Sequence, residues 1–191
     1  MATKPLSKKI AIEIQKIPEV LSDGQYNNPA IDKALNRIHG IRVDKLKLVD
    51  LITCACHCNG VYLFYDYDGA LDYKSENAFN DASAIGNVVY VGKASSRSFV
   101  ERIAAHFAPR NWDFMNTLIK RIAEIKFGHI DNYTICESFQ IARKFYLKLI
   151  YFDSCNNAGN LGSIDDLEVE LIGYYKPTLN KIPGCRNKNR R

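Results

Sequence analysis

Apolar and polar positions along this chain follow two rhythms. Residues 60–65 (GVYLFY) and 87–92 (NVVYVG) are short β-branched and aromatic runs with a glycine at one end, the composition of buried strands. The order of the chain makes them an antiparallel pair. Residues 144–152 alternate in part and are aromatic-rich, which predicts a third strand. Elsewhere the apolar positions recur every three to four residues. Ile10, Ile14 and Ile17 predict a helix over 7–17 that Pro18 stops. Ile31, Leu35 and Ile38 predict a second over 29–39, with Pro29 in its first turn and Gly40 past its end. A third, short helix is expected over 44–52.

Downstream, Phe99, Ile103 and Phe107 form one stripe of a helix over 98–107, and Arg102 and His106 stack one turn apart on another stripe. Leu118, Ile122 and Ile125 form the inward face of a helix over 113–127. Residues 133–142 read equally as helix or strand. The last helix is expected to begin at Ser163 as its cap, with Asp165 and Asp166 in its positive first turn. It carries Leu167, Leu171 and Ile172 inward to about Tyr175, and Pro177 closes it. Between the first two strands, residues 66–86 are polar and rich in Asp, Asn, Ser and Gly, so they read as a long excursion rather than a tight turn. The fold class is therefore α/β (α+β). A small, mostly antiparallel three-stranded sheet is flanked by helices, with a helical extension over 1–58, a main domain over 59–181 and a tail over 182–191.

Composition narrows the setting. With 191 residues, 47% of them hydrophobic and 25% charged, the chain is long enough to bury a real core. No apolar run reaches the length of a membrane span, and residues 1–17 lack the apolar core of a secretory signal, so a soluble protein without a membrane partner is expected. The six cysteines then read as reduced thiols in a cytoplasmic protein. Cys54, Cys56 and Cys58 alternate, and on an extended segment they share one face as small buried residues would; their spacing is not that of a structural zinc site. The net charge of +5 equals the contribution of Lys181, Arg186, Lys188, Arg190 and Arg191, which no acidic residue offsets, so the rest of the chain is formally neutral. Such a tail suits a polyanion such as nucleic acid; a solvated terminus that aids solubility accounts for it equally well.

Two strands each holding a tyrosine would bring two phenol hydroxyls, those of Tyr62 and Tyr90, to one surface. The order GVY (60–62), YVGKA (90–94), an arginine-bearing helix and LEVELIGYYKPTLN (167–180) resembles the GIY-YIG nuclease domain over residues 59–181. Valines 61 and 91 stand where the family motif has isoleucine, and the 66–86 excursion is longer than is usual there. Arg102 with His106 one turn later, and the ending Tyr-Lys-Pro-x-x-Asn, are most similar to the type II restriction endonucleases of that family.

The resemblance implies a metal-dependent endonuclease acting on double-stranded DNA. Glu168 would hold one hard divalent cation, Mg²⁺ or Mn²⁺, with waters and phosphate oxygens filling its other positions. Arg102 would offer its fork of donors to the scissile phosphate. Tyr62 is the candidate general base. A free phenol titrates near ~10, so it needs a neighbouring cation or acceptor, for which Lys93 and His106 are placed. Tyr90 would orient water or phosphate. Gly92 and Asn180 would be structural at the site, Asn180 tying the last helix to the sheet. Cutting both strands needs two active sites on the DNA, supplied by a homodimer or by repeated binding of one copy. Two further roles stay open: a repair or mobile-element nuclease with a preference for DNA structure, and an inactive DNA-binding module.

Overall fold

The computed structural model describes residues 14–16, 21–22, 25–26, 28–37, 40–46, 59–72, 87–95, 98–107, 118–152 and 161–180. Its centre is a sheet with helices on both faces. Strand β5 (Asn59–Tyr65) lies between β6 (Val88–Ala94) and β7 (Tyr146–Phe152), antiparallel to both. These are the three strands expected from the apolar runs, and an α+β class holds. The sheet is nevertheless wider than three strands. Strand β1 (Ile14–Lys16) pairs in parallel with the outer edge of β7, and β4 (Ile41–Arg42) pairs with the same strand antiparallel. A small ribbon of β2 (Leu21–Ser22) and β3 (Gln25–Tyr26) stands apart.

The expected helix over 7–17 is therefore corrected where the chain is described. Ile14–Lys16 is a strand, because β7 presents an open row of backbone donors and acceptors that this β-branched segment fills. Where the 1–58 region is described, it is not purely helical. It contributes two strands to the sheet and α1 (Asn28–Leu35) to one of its faces. Residues 43–45 form a 3₁₀ turn, and 47–52 of the third helix expected over 44–52 lie outside the described residues.

On one face lie α2 (Phe99–Phe107), α3 (Leu118–Ile122, continued by a π turn to Phe127) and α4 (Asn132–Ala142). Phe99, Ile103, Leu118, Ile122 and Ile135 there bury Tyr62, Phe64 and Leu149 of the sheet. On the other face lie α1 and α5 (Leu161–Tyr175), whose Ile31, Leu35, Leu167 and Leu171 bury Val61, Leu63, Val91 and Ile150. Burying one such side chain contributes ~1.5–3 kcal/mol, so both layers are tied to the sheet along the length of β5. The pairing of β5 with β6 shifts register between Phe64 and Tyr65. Past this bulge Val89 and Tyr90 both belong to the α2–α4 face, where strict alternation would have separated them.

The ambiguous stretch 133–142 is helical because Asp131 caps it. Its carboxylate accepts from the Thr134 N–H, and the Thr134 hydroxyl accepts from the Asp131 N–H. Helix α5 starts at Leu161, so Ser163 lies inside it rather than at its cap. Beyond Tyr175, Lys176 takes a left-handed φ of 48° ahead of Pro177, and the chain turns back along β6.

Candidate active site

The tyrosine of the first strand is wholly buried, and its hydroxyl is committed. Tyr62 Oη lies 2.6 Å from His106 Nε2. The other ring nitrogen, Nδ1, accepts the backbone N–H of Leu118 at 3.0 Å. A neutral imidazole has one N–H, so an Nδ1 that accepts leaves the proton on Nε2, and His106 donates to Tyr62. The sequence left open a cation or an acceptor for this neighbour; as a neutral donor to Tyr62, His106 is neither. Burial, then the charge of Arg102, pushes His106 down to about 3, so it stays neutral.

Tyr90 stacks on Tyr62 with ring centroids 6.2 Å apart and an interplanar angle of 28°. Burial dominates both phenols. Tyr62 is raised well above its ordinary value, and Tyr90 is raised to about 12. The charge on Glu168 raises both, whereas Arg102 lowers both. The hydrogen bond between the phenols raises Tyr62 and lowers Tyr90, as expected when Tyr62 donates to Tyr90. The polar chain thus runs from the Leu118 amide through His106 and Tyr62 to half-buried Tyr90.

Gly92 is the cross-strand partner of Tyr62 and lies beneath its ring. A Cβ at Gly92 would overlap the ring and the hydroxyl, so only glycine fits under this tyrosine.

Among the described residues strand β6 is the outermost strand on its side of the sheet, and the remaining groups gather on it from both faces. Arg102 Nε donates to the Lys93 carbonyl at 3.1 Å. The Lys93 side chain leaves the strand on the opposite face and ends 3.1 Å from both Glu168 Oε2 and Asp165 Oδ1 of α5. Lys93 is therefore paired to carboxylates rather than set beside the Tyr62 hydroxyl. Although partial burial alone would lower it, these two carboxylates raise its pKa. Glu168 is half-buried at the edge of β6, and its carboxylate already accepts a cationic group. A half-buried carboxylate whose charge is met by an ammonium is a place that fits a cation. Among the described residues no group of three or more His, Cys, Asp or Glu side chains could hold a metal.

Asn180 closes the edge. Its side-chain amide accepts the Val91 N–H at 2.8 Å and donates to the Val91 carbonyl at 2.7 Å, as a neighbouring strand would. The Leu179 N–H adds a bond to the Val89 carbonyl.

Sequence reasoning did not single out the Leu118 amide, Asp165 as partner of Lys93, or Arg121, whose Nε donates to the Leu179 carbonyl. Only Asp165 carries a sequence signal, its i,i+3 spacing from Glu168 on one helix face. Lys181, Arg186, Lys188, Arg190 and Arg191 lie outside the described residues, as do Trp112, His39, His57 and Cys54, Cys56 and Cys58. His129 is exposed and paired with Asp131, away from this cluster. Among the described residues no helix is long and apolar enough to cross a membrane.

Phenols, a guanidinium, an ammonium and a carboxylate at one strand edge form a set that handles a proton next to an anion. Such a set can hold a phosphate, take a proton from water and balance the charge that develops as a phosphodiester breaks. No protein-family model, curated protein or solved structure matches this chain.

Proposed function

We propose that this protein is a metal-dependent DNA endonuclease of the GIY-YIG kind, hydrolysing phosphodiester bonds in double-stranded DNA and acting as a sequence-specific, restriction-type enzyme. The observation that carries this reading is the convergence on the edge of β6. Glu168 and Lys93 meet on one side, and Arg102, Tyr62, Tyr90 and His106 on the other.

Arg102, held by its Nε to the strand, binds the scissile phosphate and supplies charge that cannot be lost. Tyr62 is the base as its phenolate, its own proton leaving through the hydrogen bond to Tyr90, and in that form it accepts the proton of the attacking water, which Tyr90 orients. His106 supports the phenolate by donating from Nε2, its tautomer fixed by the Leu118 amide. A Mg²⁺ or Mn²⁺ ion on Glu168 would polarise a phosphate oxygen and cancel the carboxylate charge that otherwise raises both tyrosines. The basic tail would add contacts to the DNA backbone through Lys181, Arg186, Lys188, Arg190 and Arg191.

The test is incubation of the purified protein with supercoiled plasmid and phage DNA in Mg²⁺ or in EDTA, with Glu168→Ala alongside. The expected outcome is discrete fragments that need Mg²⁺ and disappear in the variant. A smear, or nicking alone, would replace sequence specificity by a preference for DNA structure. Retarded DNA without any product would replace the enzyme by a binding module.

A further inference from the structure

Lys93 is placed unusually for a residue at the edge of an anion-handling site. Its ammonium sits between two carboxylates of α5, 3.1 Å from each. Asp165 and Glu168 are three residues apart and so occupy one face of the helix, where two like charges repel unless a cation lies between them. The two acids differ in setting. The side chain of Glu168 is 19% exposed and that of Asp165 is 53% exposed. The backbone beneath Lys93 is held from the opposite face by Arg102, so the lysine can change partners only by swinging its stem. A compact ammonium with three donors on a flexible stem is suited to such a swing.

We propose that Asp165 is a positioning residue: it receives the Lys93 ammonium when a divalent cation takes Glu168, so that Lys93 holds the carboxylate in the metal-free protein and stays in the site once displaced. This rests on the reading of Glu168 as the cation ligand. Without Asp165 the ammonium would have Glu168 as its one remaining carboxylate partner on α5, and it would compete harder with the incoming ion.

Mn²⁺ binding to the full chain without DNA, followed by electron paramagnetic resonance and calorimetry, tests the inference on wild type, Glu168→Ala, Lys93→Met, Asp165→Asn and the Lys93→Met/Asp165→Asn double variant. Removing the competing ammonium in Lys93→Met is expected to tighten binding about fivefold, the scale of a partly exposed ion pair. Asp165→Asn is expected to weaken it by about the same factor. In the Lys93→Met background the second substitution should have no further effect, because nothing is left to reposition. If Asp165→Asn weakens binding equally in both backgrounds, Asp165 acts on the ion itself and the proposal fails. It fails too if Lys93→Met leaves the affinity unchanged or lowers it. Loss of Mn²⁺ binding in Glu168→Ala supports the underlying metal reading. Unaltered binding there would overturn that reading, and the role of Asp165 with it.

Discussion

Strand β5 places Tyr62 on one face of the sheet and Tyr65 on the other, and each sits among similar chemistry. Tyr62 has Tyr90, His106 and Arg102 around it. Tyr65 has Tyr67, Lys148 and Tyr175, with Lys148 Nζ 4.1 Å above its ring. Both tyrosines are buried, and burial raises both far beyond the ordinary phenol. The cation differs in how it is bound. Lys148 is 2% exposed and donates to the Leu35 carbonyl at the end of α1 at 2.9 Å, while Asp32 of the same helix accepts the Tyr175 hydroxyl at 2.6 Å. Those bonds hold α1 to the sheet and to α5. Around Tyr62 the polar chain instead runs outward to half-buried Tyr90 on the outermost strand. A cation, a carboxylate and phenols are therefore not enough to mark a site; the set must open on an edge where an anion can arrive.

The sharpest way to break this comparison is to remove one hydroxyl from each face. Tyr62→Phe is expected to lower the cleavage rate by ~10²–10⁴, the scale of a lost general base, in a Mg²⁺-dependent plasmid assay. Tyr65→Phe should leave that rate unchanged. Among the described residues the buried Tyr65 hydroxyl makes no well-formed hydrogen bond, only an approach to Tyr175, so losing it should change stability little. A Tyr65→Phe enzyme as slow as Tyr62→Phe would erase the functional difference between the faces.

The next effect in size is acid sensitivity carried by one face. His106 titrates near 3 when folded and near ~6.5 when unfolded, so the unfolded chain binds more protons across that window. The stability held by neutral His106 is complete above the unfolded value and is lost as pH falls toward 3, a change on the order of 4 kcal/mol. Urea unfolding at stepped pH should show a shallower loss in His106→Gln than in wild type. With His106 neutral throughout, the cleavage rate should also rise with pH without a break near 6–7, since the ionising groups are the raised phenols.

Much of this was legible in the chain. The runs at 60–65 and 87–92 are strands because their residue types suit a pleated buried surface, and the two tyrosines follow from them. Glu168, Arg102 and Asn180 were placed by a resemblance of order and spacing. The unread parts are those that depend on backbone pairing between distant segments. Nothing in Ile14–Lys16 announces that β7 has an edge to fill. Nothing in Leu118 announces that its amide selects the tautomer of a histidine on another helix. The bulge that turns Val89 and Tyr90 to one face is a property of two strands together, invisible in either alone.

A smaller effect comes from the floor of the Tyr62 site. Gly92→Ala forces a methyl group into the Tyr62 ring, and overpacking of this kind costs ~1–3 kcal/mol. The ring must also shift away from His106, so cleavage should fall together with the melting temperature. A Gly173→Ala control in helix α5, where an added Cβ meets nothing within 4 Å, should leave cleavage unchanged and the melting temperature equal or slightly higher.

The smallest expected effect lies on the sealed face. Among the described residues Lys148 has one hydrogen bond and two aromatic faces for company, and burial lowers it to about 8 despite the opposing charge of Asp32. Its folded value is below the unfolded one, so between pH 8 and ~10.4 the unfolded chain holds more of this proton and stability rises with pH. At pH 7 the ammonium is therefore a cost that its bonds partly offset. Lys148→Met exchanges a buried charge for an apolar stem of similar length but leaves the Leu35 carbonyl without its donor. These terms oppose each other, and the net change in stability should stay within about 1 kcal/mol. Urea unfolding at pH 7.5 and 9.5 separates the two: wild type should gain stability between them, and the methionine variant should lose that gain. Cleavage should be unaffected, because Lys148 holds a helix and touches nothing on the β6 edge. If Lys148→Met instead lowered cleavage as far as Tyr62→Phe, the sealed face would belong to the site and access at a strand edge would not be what separates the two.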